Sequence, residues 1–144
     1  MVILALEKVQ SGVGRAYAQL INDASSNEFT PFFKNYIDKN ANVITDEWRG
    51  YLPLKNQYPN LKQIPSKSGD NFPDLRIHIM NLKVWLRGIY LGGTPHHCSE
   101  ERLQGYLDEY HFRYNRRNNM GTIFYILIQR MVVNEPKRLN NRAT

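Results

Sequence analysis

Apolar and polar positions change period several times along the chain, and each change marks an element. VILALEKV (residues 2–9) is a mostly apolar run that reads as a strand, turning at QSGVG, and GRAYAQLI reads as a second strand, so the pair predicts a β-hairpin. In DASSNEFTPFFKNYIDKN, Phe29, Phe32, Phe33 and Tyr36 recur at helical spacing, with Ser25 or Ser26 as the cap and Pro31 tolerable only near the first turn. ANVIT reads as a short buried strand ending at Asp46. The stretch from Trp48 to Asp74 carries four prolines and reads as turn-rich, with a short helix and an irregular loop.

LRIHIMNLKVWLRGIY returns to helical spacing at Ile79, Leu82, Leu86 and Ile89, and LGGTPHHC breaks it. Ser99 then reads as an N-cap with Glu100 and Glu101 in the first turn, where carboxylates oppose the helix dipole. The helix that follows places Leu103, Tyr106, Leu107, Tyr110 and Tyr114 on one stripe. NRRNNMG ends it, and TIFYILIQRMVV predicts a last helix with Phe124, Leu127, Ile128 and Met131 facing inward. The order strand, strand, helix, strand, loop, helix, helix, helix is α/β with a small sheet.

Charge changes this picture at one end. Residues 1–110 hold 12 Lys/Arg against 12 Asp/Glu, whereas residues 111–144 hold seven basic groups and one acid, Glu135, so the whole net charge of +6 lies in the last 34 residues. Such asymmetry is the electrostatic footprint of a polyanion-binding end or of a solvated basic tail. The chain has 144 residues, enough for one domain with a core, and its one cysteine, Cys98, rules out an internal disulfide framework and fits a reducing, cytoplasmic setting. No apolar run reaches the roughly 18 residues of a membrane span, and the first residues lack the basic leader and cleavage site of a signal peptide.

The candidate chemistry is sparse. Asp46 ends a strand, either as a cap or as one oxygen ligand of a Mg²⁺ site; one Asp cannot build such a site alone. Arg76, Lys83 and Arg87 are spaced seven and four apart, which puts three cations on one helical face, suited to a phosphate backbone or simply to solvent. YLDEYHFRYNRR (residues 106–117) interleaves aromatic groups with Arg113, Arg116 and Arg117, which are available for phosphates. Trp48 and Trp85 read as packing residues, His78 as a partly buried helix residue, and Glu7 as a strand end or local ion pair. His96, His97 and Cys98 are adjacent, a poor spacing for one zinc ion.

TDEWRGY, followed about 60 residues later by NLKVWLRGIY and then YLDEYHFRYNRR, resembles the catalytic domain of bacterial insertion-sequence transposases of the ISXO-two-like type, from about Val2 to Arg117. The resemblance implies a ribonuclease-H-like mixed sheet flanked by helices, with a helical C-terminal part. It implies DDE chemistry too, in which two Asp and a third polar residue hold two Mg²⁺ ions that activate water, and then a DNA 3′-hydroxyl, for attack on phosphodiesters. Asp46 matches the second Asp, and Trp48, Arg49, Gly50 and Tyr51 complete the family's turn. Lys83 matches a DNA-contacting lysine, which places the third position, seven residues earlier, on Arg76. An arginine cannot ligate Mg²⁺, and Asn81 and Asp74 are nearby alternatives; Asn81 lies about 200° around the helix from Lys83. The family's first Asp belongs to a strand ahead of the stretch that MVILALEKV matches, and Glu7 is a poor substitute for it.

The resulting expectation is a partial transposase catalytic domain over residues 1–133 (strands and helix 1–46, loop 47–76, helices 77–133) and a basic tail over 134–144. It would lack the first, central strand, as a truncated or decayed copy or one part of a split reading frame, and would not catalyse transposition alone. Its expected partners are insertion-sequence DNA and either further copies or an intact transposase. The alternatives are a non-catalytic DNA-binding or regulatory fragment and a small interaction protein with a basic surface.

Overall fold

The structure, a computed structural model, describes residues 1–89 and 99–133. The His96-His97-Cys98 stretch and the basic tail over 134–144 lie outside the described residues.

The first two strands form as the pattern predicts. β1 (Val2–Val9) and β2 (Gly12–Leu20) pair antiparallel from Val2 opposite Leu20 to Val9 opposite Gly12, with an irregularity between Leu6 and Lys8. Gly12 closes the turn at φ +132°, a conformation that L side chains rarely adopt. The run VILAL is apolar throughout because both faces of the hairpin are covered. Ile3 and Ile21 lie in one core cluster with Phe29, Phe32, Phe33, Leu54, Tyr58 and Leu61. Ala18 lies in a second, with Leu82 and Leu107, and Leu4 and Leu20 pack against it.

α1 (Ser26–Tyr36) buries Phe29, Phe32 and Phe33, and Ser25 is its N-cap without a side-chain hydrogen bond. Pro31 is the sixth residue of this helix, not in its first turn. It removes the N–H that would reach the Asn27 carbonyl, a loss offset by burial of the three phenylalanines, each worth about 2 kcal/mol or more. α2 (Pro73–Ile89) begins on a proline, where the missing N–H costs nothing. α3 (Glu100–Tyr114) is capped by Ser99, whose Oγ accepts from the Arg102 N–H at 3.3 Å.

Four expectations are corrected. ANVIT contributes only β3 (Val43–Thr45), and Ile44 is 57% exposed, so this strand is half-buried at best. β3 pairs in parallel with β4 (Leu61–Gln63), inside the stretch read as a loop; three residues are too few to display a period. Among the described residues the two pairs remain separate two-stranded sheets, so α/β is borne out and one continuous mixed sheet is not formed.

The fourth correction concerns α4 (Met120–Val133). Phe124, Leu127, Ile128 and Met131 share a stripe as read, but they are 66%, 43%, 44% and 73% exposed, and the helix buries none of its residues. Periodicity identifies an apolar face; it does not supply something to cover it. No residue of α4 belongs to either core cluster or packs against one.

The outer edge of β2 has an unusual partner. The Asn115 side chain at the end of α3 accepts from the Ala16 N–H at 2.7 Å and donates to the Ala16 carbonyl at 2.9 Å. Gln104 accepts from the Leu20 N–H at 2.7 Å. Side-chain amides thus occupy positions on β2 where another strand would otherwise hydrogen-bond. This docks α3 along the hairpin and fixes the C-terminal end of α3 beside residues 13–16.

Candidate functional site

The Asp46 turn is built from its neighbours. Asp46 follows β3 directly, its Oδ1 accepts from the Trp48 N–H at 3.2 Å, and its carbonyl accepts from Gln63 Nε2 at 3.1 Å. Gln63 also donates to the Trp48 carbonyl, so β4 pins both ends of the turn. Trp48 is 54% exposed, and its indole N–H donates to the Ala24 carbonyl at 2.7 Å. It therefore tethers the turn more than it packs. Gly50 approaches the same carbonyl so closely that an added Cβ would sit 2.6 Å from it and 2.8 Å from the Phe29 ring. The Tyr51 ring stacks on Phe29 with centroids 4.5 Å apart. Burial, and then the Asp46 charge, push the Tyr51 hydroxyl up to about 12, so it stays protonated. The turn presents an exposed carboxylate on a fixed backbone.

On α2, His78 and Leu82 are buried, while Arg76, Asn81, Lys83 and Arg87 are exposed. Arg76, Lys83 and Arg87 fall within about 40° of one another around the axis. The apolar residues Ile77, Met80 and Val84 border this cationic face and are also exposed. Arg76 forms an ion pair with Asp70 at 2.9 Å, and Asp74 forms one with Lys8 at 3.3 Å.

The end of α3 spends its arginines unevenly. Arg113 pairs with Glu109 at 2.7 Å. Arg117 donates to the Gly14 carbonyl at 3.1 Å, to the Val13 carbonyl and to the Tyr114 carbonyl, and its guanidinium lies 4.2 Å from the Tyr114 ring centre. It clamps the hairpin to the helix. Arg116 donates to the Phe112 carbonyl at 3.2 Å and lies 3.8 Å from the Phe112 ring centre. Residues 99 to 104 positions apart meet here, a proximity that no local spacing displays.

Between α2 and α3 lies a buried histidine pair. His78, read as partly buried, is 3% exposed, and its Nε2 is 3.1 Å from Nε2 of His111. His111 Nδ1 is 2.7 Å from the Leu107 carbonyl, which can only accept, so Nδ1 carries the proton. Nε2 of a neutral His111 is then an acceptor, and His78 Nε2–H donates to it. Burial, followed by His111 and Arg117, pushes His78 down to about 4. Burial also lowers His111, against the raising effects of the Leu107 carbonyl and Asp108. Both rings are neutral near pH 7.

The implied Mg²⁺ ions require several oxygen donors in near-octahedral array. Among the described residues no three His, Cys, Asp or Glu side chains are grouped to hold a metal ion. Asp46 offers one carboxylate, Arg76, to which the resemblance assigns the third position, is a cation, and the alternative Asp74 is paired with Lys8. The described residues therefore do not by themselves build a two-ion site. No helix among them is long and apolar enough to cross a membrane.

Residues 1–115 match the family model described as the ISXO2-like transposase domain. No curated protein and no solved structure matches the chain.

Proposed function

The chain belongs to the ISXO2-like transposase domain family, and on that footing we propose that it binds the DNA of insertion-sequence ends and does not by itself cut and join it. Its hairpin, parallel strand pair and helices are, in this reading, the parts of a ribonuclease-H-like domain, with Asp46 in the place of the second catalytic Asp. The observation that carries the binding half is the exposed face of α2, where Arg76, Lys83 and Arg87 lie together away from the buried face. Phosphates are recognised chiefly by such charge, and Lys83 and Arg87 supply it most directly because Asp70 already pairs with Arg76. The observation that carries the non-catalytic half is the donor set: one exposed carboxylate at Asp46 and an arginine at the third position. Family catalysis draws on divalent ions to activate water and a 3′-hydroxyl; here Asp46 would hold one such ion only together with carboxylates from elsewhere. Co-assembly with an intact transposase would supply them and make the chain a regulator of transposition. The single cysteine, Cys98, supports a cytoplasmic setting.

Titration of a labelled element-end duplex at rising salt tests binding, and a nicking assay with Mg²⁺ on the same duplex tests catalysis. The expected result is salt-sensitive binding without cleavage. Two or three phosphate contacts would give a log–log salt slope of about −2 to −3. Absence of binding at low salt refutes the DNA reading, and Mg²⁺-dependent nicking by the purified chain refutes the non-catalytic one.

A further inference from the structure

We propose that two copies of this chain associate through α4, each burying the outer apolar face of its helix against the same face of the other. The inference goes beyond the DNA-binding reading and does not depend on it, since α4 begins at Met120, past the residues that match the family model. The helix has two unlike sides. Ile123 and Ile126 are half-buried, and the Arg130 guanidinium lies 5.1 Å from the Phe112 ring centre, so this side rests on its own chain. On the other side Phe124, Ile128 and Met131 fall within about 60° of one another, with Ile128 about 160° around the axis from Arg130. Tyr125 and Val132, which border them, are 70% and 80% exposed. The Phe124 ring packs edge-on against Tyr125 of its own helix, with centroids 5.9 Å apart. Gly121 lies on this side too, and a Cβ added there would meet no atom within 4 Å. Phe124 and Met131, Gly121 and Ile128, and Tyr125 and Val132 are each seven apart, the repeat of a seam between paired helices.

What covers this face follows from its chemistry and its size. The face carries no charge: α4 contains no acidic residue, and its one basic residue, Arg130, is engaged with Phe112 on the opposite side. A charged segment or a phosphate backbone therefore finds no partner on it. A helix lying at a lipid surface needs a strongly polar face opposite its apolar one, and here Ile123 and Ile126 make the opposite side largely apolar as well. An uncharged apolar stripe does match its own copy, because a two-fold axis brings the same patch onto itself and buries no unpaired charge. Area agrees. Phe124, Tyr125, Ile128, Met131 and Val132 together leave on the order of 600 Å² open on a helix about 21 Å long. Two copies would then bury on the order of 1,200 Å², the lower end of stable interfaces, which points to a dimer of micromolar strength.

The test is sedimentation equilibrium of the full chain, without DNA, over about 1–200 µM. The mass should rise from one chain to two and stop there. Added salt should strengthen the association, because it screens repulsion between two chains that each carry +6 and leaves apolar contact intact. Phe124→Ser and Met131→Ser should each raise the dissociation constant about tenfold or more, since every dimer loses the side chain twice. Met80→Ser, at an equally exposed apolar position on α2, should leave it within about twofold. Both α4 side chains are exposed in the single chain, so unfolding measured at a dilution where the parent is monomeric should match the parent, which separates lost association from lost folding. A parent that keeps the mass of one chain throughout overturns the proposal, and flotation of that monomer with phosphatidylcholine vesicles, lost in Phe124→Ser, would assign the face to lipid. A mass that climbs past two chains without a plateau, or an association that all three substitutions weaken alike, overturns it as well. Failure of duplex binding leaves this result untouched.

Discussion

Acid should weaken this protein through its buried histidine pair. Hydrogen-bond accounting leaves both rings neutral, with His78 donating to His111 and His111 donating to the Leu107 carbonyl. His78 is pushed from 6.5 down to about 4, and His111 is lowered as well. A histidine whose folded pKa lies below its unfolded value contributes stability that is complete above about 6.5 and is lost as pH falls towards the folded value. For His78 that window runs from about 6.5 to about 4. At about 1.4 kcal/mol per unit, the interval corresponds to at most roughly 3.5 kcal/mol, and solvent screening around the pair brings the expected loss to about 2 kcal/mol. Carboxylates also titrate on the way down, so the informative quantity is a difference. Urea unfolding of the parent and of His78→Gln, whose amide cannot titrate but can still donate to His111, should show the parent losing about 2 kcal/mol more between pH 7 and pH 4.5. Parallel curves refute the argument. A parent that gains stability relative to the variant on acidification refutes it with the opposite sign, because the two rings would then share a bound proton.

Four further outcomes follow from the same contacts. Asn115→Ala removes both side-chain bonds to Ala16 and leaves a part-buried N–H and C=O unmatched, so chemical denaturation should record a loss of about 1–3 kcal/mol. Gly50→Ala drives a methyl against the Ala24 carbonyl and the Phe29 ring; thermal unfolding should show a loss of about 1–3 kcal/mol, with altered tryptophan fluorescence as the Trp48 tether is disturbed. Phe124→Ser and Met131→Ser should each stay within about 0.5 kcal/mol of the parent, whereas Leu107→Ala, at a buried position between the hairpin and α2, should cost about 2–5 kcal/mol. Asp46→Asn keeps an oxygen for the Trp48 N–H and should leave the unfolding temperature unchanged, so any change in co-assembled DNA cleavage would report on its carboxylate alone.

What the sequence displayed and what it concealed divide by range. The hairpin is legible because its strands are apolar and its turn is polar with glycine, all within residues 2–20. The helices are legible because Phe29, Phe32 and Phe33, or Leu82 and Leu86, recur every three or four residues. β4 is concealed because Leu61–Gln63 has no period of its own and becomes a strand only through β3. The fate of Phe124 and Met131 is concealed because a stripe does not specify its partner. His111 is concealed because its partner, His78, is brought to it from 33 residues away. In the Asp46 turn the motif was visible while its supports, Gln63 and the Ala24 carbonyl, were not. Gln104 carried no motif at all, and Asn115 lay inside YLDEYHFRYNRR without its contact to Ala16 being visible.

That division bears on what the family motif means in this chain. Most residues of TDEWRGY have a structural role in the turn. Asp46 accepts from the backbone of Trp48, Trp48 binds Ala24, Gly50 permits the close approach, and Tyr51 stacks on Phe29. Such a turn remains ordered whether or not a metal ion ever binds, because none of these contacts uses one. The fold alone therefore accounts for these residues of the motif. Arg76 has a local structural partner in Asp70, and it shares its face with Lys83 and Arg87. A carboxylate there would face Asp70 without relief of charge, whereas an arginine neutralises Asp70 and extends the cationic stripe. The arginine thus supports the proposed DNA-binding reading of this face of α2 rather than a metal-ligating one.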